Sequence, residues 1–312
     1  MSTLCLRDAV RLAHRNDPKG ALTSWRAALN AVRSLGDEPV TGAHITRCSG
    51  VAEALAALGR VLSLTTPDDD DLAEVAALLR REEAHPTGRA AFRAACAEVH
   101  ATFVWLEGNP PRSRGFDALF KTSEGYEEWR DGVFGVSVAD LRLQHAVALE
   151  LLASFADVPR LPPHEQAARE AEYGRDSKPV LDRHRWVKML LPRVAVVNRG
   201  TRRKLGQVRA MLALLQAERH RRRHGAWPDA LEGDSDPHDG KPVRYSRLAD
   251  GVVAYVVGEN GLDDGGAVDP RVPGRPAADD GYRLPDAAKR AHSRPRPDRP
   301  RPDREGAPLR LG

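Results

Sequence analysis

Apolar residues near the start of the chain recur at three- and four-residue steps. Ala21, Leu22, Trp25, Ala28, Leu29, Val32 and Leu35 fall on one face of a helix that Asp17-Pro18 opens and Gly36 closes. A shorter helix around Leu6 to Ala13 precedes it, and the pair is expected to bury Trp25 at its centre. The same period predicts helices over Val40 to Leu64, from Leu72 onward after the acidic run Asp68 to Asp71, and over Thr87 to Leu106. Ser137 and Asp140 fit a capping box opening a helix from Val138 to Phe155. Shorter helices are expected within Pro162 to Tyr173 and Leu181 to Met189. A long one then runs from Pro192 to near Gly225, where Val197, Leu205, Val208, Leu212 and Leu215 keep helical spacing. Gly206 and Gly200 interrupt it, as expected where another element approaches closely.

After the long helix the period changes from 3.6 to 2. Val243 and Tyr245, then Val253, Tyr255 and Val257, alternate in two runs separated by Asp250-Gly251, a hairpin signature. Beyond Pro270 the chain is Pro, Asp, Gly and Arg, a composition that holds neither a helix nor a core. The resulting expectation is a mainly α protein: a helical array, a long helix, a small C-terminal antiparallel β-hairpin module and a disordered basic tail. The boundaries are 1–190 for the helical domain, 191–270 for the long helix with its hairpin, and 271–312 for the tail. Removal of Ala287 to Gly312 is expected to leave the folded body almost unchanged in stability.

Composition sharpens this picture. Among 312 residues 41% are hydrophobic but only 5% aromatic, so buried surface must come mostly from aliphatic side chains on helices. Cys5, Cys48 and Cys96 are widely spaced and lack a C-x-x-C pair, which favours neither a disulfide framework nor a zinc site. Cys96 and His100 stand one helical turn apart, but two ligands do not make such a site. The best apolar stretch, Val51 to Leu64, is interrupted by Glu53 and Arg60, short of the roughly 20 apolar residues of a membrane helix. As written, the chain is expected to be soluble and cytoplasmic.

The net charge is only +4, yet the long helix is strongly one-signed. Arg193, Arg199, Arg202, Arg203, Lys204, Arg209, Arg219, Arg221, Arg222 and Arg223 occupy its polar positions, with Glu218 the sole acid among them. Such a stripe either tracks phosphates or is a solvated face paired with acids elsewhere in the chain. Phe116, Phe120, Tyr126 and Trp129 cluster in a polar, turn-rich segment, where they are expected to anchor it on the helical core. The chain carries no H-E-x-x-H, no phosphate loop, no G-x-S-x-G and no paired carboxylates on one helix face.

One segment has a family resemblance. His224-Gly-Ala-Trp-Pro-Asp-Ala-Leu231, Asp236-Pro-His-Asp-Gly-Lys-Pro-Val-Arg-Tyr245 and Tyr255-Val-Val-Gly-Glu-Asn-Gly-Leu-Asp-Asp-Gly-Gly266 together resemble the C-terminal region of type II secretion major pseudopilins. A similar block ends a group of uncharacterised bacterial helical proteins. The resemblance covers about residues 219–269. It implies a calcium-binding loop, with Asn260, Asp263, Asp264 and Asp269 as the ligand positions, since calcium takes six to eight oxygens from a flexible loop. Asn260 stands where the family has an aspartate, and the leader and apolar N-terminal helix of pseudopilins are not in this sequence. The alternative is a glycine-rich turn with solvated acids and no cofactor.

The leading functional expectation is a structural or protein-interaction protein, non-catalytic, with a protein partner and an envelope or secretion association if an upstream anchor precedes Met1. The alternatives are a nucleic-acid-binding protein using the basic helix and tail, and an unrecognised hydrolase.

Overall fold

A computed structural model describes residues 2–36, 38, 40–110, 137–268 and 279–290. The fold is mainly helical with a small three-stranded antiparallel sheet. Its first helices are α1 (Ser2–His14), α2 (Pro18–Arg33), α3 (Thr41–Leu64), α4 (Asp69–Glu83) and α5 (Thr87–Gly108). These are followed by α6 (Val138–Phe155), α7 (Pro163–Arg183), α8 (Arg185–Leu190) and α9 (Pro192–His224). The aromatic cluster Phe116, Phe120, Tyr126 and Trp129 lies outside the described residues.

Local chemistry sets the helix ends. The Asp17 carboxylate accepts the Gly20 amide hydrogen bond at the start of α2, with Pro18 at its first position. Asp68 caps α4 by accepting from the Asp71 amide. Ser137 and Asp140 form the expected reciprocal capping box on α6. Gly225 ends α9 with φ 77°, the left-handed conformation that glycine adopts without a Cβ penalty.

Helices α1 to α4, α9 and the sheet share one hydrophobic core, centred on Trp25, Leu55, Leu58, Leu62, Met211 and Val252. A second cluster joins α5, α6 and α8 through Phe103, Leu141, Leu152, Phe155 and Trp186. The sequence boundary at residue 190 therefore cuts through the first core, because α9 is packed among the N-terminal helices rather than beside them. Buried positions such as Arg202, Lys204, Val208, Ala210, Leu214 and Glu218 point in different directions around α9. It is the spine of the molecule. A Cβ on Gly206 would lie 2.7 Å from Val256 Cγ2, so the absence of a side chain there lets the sheet seat against the spine. Gly200 has no such neighbour.

Strands β1 (Arg244–Leu248), β2 (Gly251–Val256) and β3 (Asp280–Pro285) pair in that order. Leu248 faces Gly251 across the hairpin, so the turn is Ala249-Asp250 and Gly251 already belongs to β2. β2 is buried along its whole length, as the central strand must be when its neighbours and the helices cover both faces. β3 corrects the tail assignment. It pairs with β2 from Gly251↔Pro285 to Val256↔Asp280, within a segment read from sequence as disordered.

The truncation expectation needs the same correction. Arg290 is buried, its Nη1 and Nη2 donating to Glu218 Oε1 and Oε2 at 3.0 and 2.7 Å, with Nη1 also 3.2 Å from the Thr65 carbonyl. The C-terminal side of β3 is thus fastened to α9 and to the end of α3. Arg290→Ala leaves Glu218 buried with Arg221 at 2.8 Å and Arg222 at 4.0 Å as its remaining cations, and a loss of about 2 kcal/mol is expected. Urea unfolding of this variant measures it, and an unchanged midpoint would show that the clasp is energetically idle.

Candidate functional site

Much of the basic face of α9 is occupied from within the molecule. Arg202 makes two hydrogen bonds to Glu170 at 2.6 and 2.9 Å, and Arg209 Nε donates to Glu83 at 2.8 Å. Arg219 and Arg223 both donate to Asp69, at 2.8 and 2.9 Å for the closest atoms, and Arg221 donates to Glu218. These hydrogen bonds, Arg219's first, hold the Asp69 carboxyl well below its ordinary value. The acidic run before α4 thus caps one helix and receives another.

Lys204 reaches deepest. Its Nζ lies 2.9 Å from Glu82 Oε1 and 2.8 Å from the Thr87 hydroxyl, while Arg47 Nη2 donates to Glu82 Oε2 at 2.8 Å. Glu82 is fully buried. Burial alone would push its carboxyl up, but the Lys204 ammonium and the Arg47 guanidinium outweigh that and hold it below the ordinary glutamate value. The cluster ties α3, α4 and α9 together.

A hydrogen-bonded chain joins α5 to α6. His100 Nδ1 is 3.0 Å from His145 Nε2, and His145 Nδ1 is 3.1 Å from Glu107 Oε1. Phe103 stacks on the His145 ring at 5.1 Å between centroids. Of these residues only His100 had drawn notice in the sequence, as a neighbour of Cys96. Its partners lie 45 residues along the chain and, for the His145 to Glu107 step, 38 residues back, so no local pattern announces them.

The loop residues implicated in calcium binding are held by the protein's own groups. Asp263 Oδ2 accepts from Arg244 Nε at 2.9 Å, and its Oδ1 accepts from the Tyr255 hydroxyl at 3.1 Å and the Gly265 amide at 3.0 Å. Burial and the Asp263 carboxylate push the Tyr255 hydroxyl up to about 12. Asn260 Nδ2 donates to Asp264 Oδ2 at 3.1 Å, and Asn260 Oδ1 accepts the Leu262 amide. Asp269 lies outside the described residues. Asp279, which the sequence reading passed over, accepts the amides of Asp264 and Gly266 at 3.1 and 2.9 Å. With Arg244 already placing a positive charge on Asp263, added calcium is expected to leave the melting temperature unchanged. Saturable heat at micromolar to millimolar calcium in calorimetry of chelator-treated protein would show instead that the loop takes an ion.

A cleft of about 820 Å³ opens between α1, α3 and β3. Its walls include Val10, Ala56, Leu64 and Tyr282, and Tyr282 lies 3.5 Å from where a Cβ on Gly59 would stand. Arg60 and Arg283 are exposed on its rim, with no acidic partner among the described residues. Asp280 on the same strand is engaged, accepting from Arg203 Nε at 3.1 Å and from Gln207 Nε2 at 3.2 Å. The cleft was not legible in sequence because its walls come from the first helices and from a strand near the far end of the chain.

Among the described residues no group of three or more His, Cys, Asp and Glu side chains is placed to hold a metal ion, and no helix is long and apolar enough to cross a membrane. Comparison of the chain with protein-family models, with curated proteins and with solved structures finds no match.

Proposed function

We propose that this protein is a non-catalytic interaction protein whose cleft between α1, α3 and β3 receives a polypeptide segment of a partner. The observation that carries the proposal is the cleft itself, about 820 Å³ in volume, whose walls are partly apolar and whose rim carries Arg60 and Arg283 with no acidic partner among the described residues. Apolar walls supply burial, and rim charges select and orient what enters. The basic helix argues for protein over nucleic acid as the partner. A phosphate-tracking stripe needs cations free to displace counterions, whereas Arg202, Arg209, Arg219 and Arg223 already face Glu170, Glu83 and Asp69.

The resemblance of residues 219–269 to pseudopilins belongs to the same proposal and points to a partner associated with the envelope or with secretion. An in-frame apolar segment upstream of Met1 in the genomic sequence would support that placement. The hydrolase reading rests on the Glu107–His145–His100 chain, which presents an exposed imidazole backed by a carboxylate. Hydrolysis of a p-nitrophenyl ester that is lost in His145→Gln would favour it.

The cleft is tested by selecting peptides from a random display library on the intact protein and re-measuring each binder against Ala56→Trp. Ala56 is exposed on the cleft wall, so tryptophan there fills the opening without entering the core. Binders that lose affinity at least about tenfold support the proposal. A library that yields only binders indifferent to Ala56→Trp would sink it.

A further inference from the structure

The wall that β3 gives to the cleft has an unusual composition. Side chains alternate across a strand, so a strand presenting one face to a cavity lines it with every second residue. Here Asp280, Gly281, Tyr282 and Arg283 of β3 line the cleft in succession, with Asp279 just before the strand. Lining by both parities fits a cleft that runs along the edge of the strand, where the backbone itself is presented. β3 is an edge strand, since the sheet order is β1-β2-β3 and its pairing side is occupied by β2 along all six residues. The outward N–H and C=O groups of such an edge are a template for another strand.

The charges beside this edge have one sign available. Asp280 is held by Arg203 and Gln207, and Asp279 by two backbone amides. Arg283 on β3 and Arg60 on the facing helix α3 have no acidic partner among the described residues. We propose that the cleft's occupant is an acidic segment in extended conformation that adds to β3 as a fourth strand, its main chain pairing with the edge that no other described strand occupies and its carboxylates settling on Arg283 and Arg60. This rests on the reading of the cleft as a polypeptide-binding site and specifies the partner's chemistry. Ladder hydrogen bonds give affinity and alternate side chains give selectivity, the apolar ones toward Tyr282 and Leu64 and the acidic ones toward the rim.

The probe is a fluorescein-labelled, end-capped peptide of about eight residues alternating Glu and Val, long enough at about 3.3 Å per residue to span the strand. Its anisotropy is followed on titration with the full-length protein. Binding is expected, together with slowed amide exchange in β3. The same peptide N-methylated at alternate residues along one edge is expected to bind at least about tenfold more weakly, the order set by losing two to three ladder hydrogen bonds. The exposed pair Arg60→Glu and Arg283→Glu should weaken the parent peptide by a similar factor. The milder pair Arg60→Gln and Arg283→Gln serves if the reversal disturbs the fold, as read from circular dichroism. If both N-methylated edge patterns bind as tightly as the parent, strand addition is overturned while the cleft reading stands. If a single-stranded oligonucleotide of matching charge binds as tightly and depends on the same arginines, the partner is a polyanion rather than a peptide. Absence of binding by the Glu-Val peptide overturns the inference outright, and the cleft reading is then judged by the Ala56→Trp comparison alone.

Discussion

Glu82→Ala is expected to cost about 3 to 5 kcal/mol, the amount typical of leaving a buried charge without its partner. Two cations would be stranded together. The side chains of Arg47 and Lys204 are each only 3% exposed, and both lie within 2.9 Å of the Glu82 carboxylate. Arg33 stands a little farther off at 3.7 Å. With the carboxylate gone, the two buried inner cations repel one another, and neither has another acid within bonding distance among the described residues. The pH dependence follows from the direction of the Glu82 shift. Its folded value is lowered from 4.5, so the stabilisation is complete above that value and is lost as pH falls through the lower folded one. The urea midpoints of wild type and Glu82→Ala should therefore differ strongly at about pH 7 and converge only in acid, as the pH falls through the lowered folded value. Equal midpoints at neutral pH would mean that the cluster relaxes around the loss, as a solvated surface pair would.

This cluster also shows where sequence reading reaches its limit. Helix boundaries were legible because caps are local: Asp17 with Gly20, Asp68 with Asp71, and Ser137 with Asp140 each act over three residues. The face of α2 was legible because its period is intrinsic to the helix. The fate of α9's cations was not, since the partner of Lys204 lies 122 residues earlier and that of Arg219 150 residues earlier. A row of arginines looks the same in sequence whether it meets solvent, phosphate or the protein's own acids. Strand β3 was missed for a different reason. Asp280-Gly-Tyr-Arg-Leu-Pro285 has only two large apolar residues, flanked by Gly, Asp and Pro, and its strand character comes from pairing with the buried β2 rather than from its own propensity. The His100–His145–Glu107 chain and the cleft were hidden for the same physical reason as α9's ion pairs: each is assembled from elements that are distant in sequence.

Packing around α9 turns charge into architecture. Its acids and bases are matched with α4 through Glu82, Glu83 and Asp69, with α7 through Glu170, and with the C-terminal clasp through Glu218 and Arg290. Each pairing fixes which helix lies against which turn of the spine. Paired buried charges are weak contributors to net stability but costly to mismatch, so their plausible contribution is to exclude alternative packings. The same matching leaves Arg60 and Arg283, on the cleft rim, among the cations without an acidic partner within the described fold.

Trp25→Ala is expected to cost about 3 to 5 kcal/mol through a different mechanism, the cavity left in a close-packed core. Trp25 is 0% exposed in the shared core of α1 to α4, α9 and the sheet, among Ala9, Ala21, Ala28, Val51 and Leu55. The same core is rich in alanine, which has no side-chain rotamers with which to collapse into a void. The indole Nε1 also donates to the Ala54 carbonyl at 2.8 Å, which fixes the ring's orientation against α3. That carbonyl lies in the middle of a helix and keeps its intrahelical partner, so the lost hydrogen bond adds no more than about 1 kcal/mol. Volume should therefore dominate, and Trp25→Phe, which restores most of the ring, should recover most of the loss. Urea unfolding of the two variants against wild type separates the terms. If Trp25→Ala falls within about 0.5 kcal/mol of wild type, the first helices close over the gap and Trp25 is not the centre of their packing.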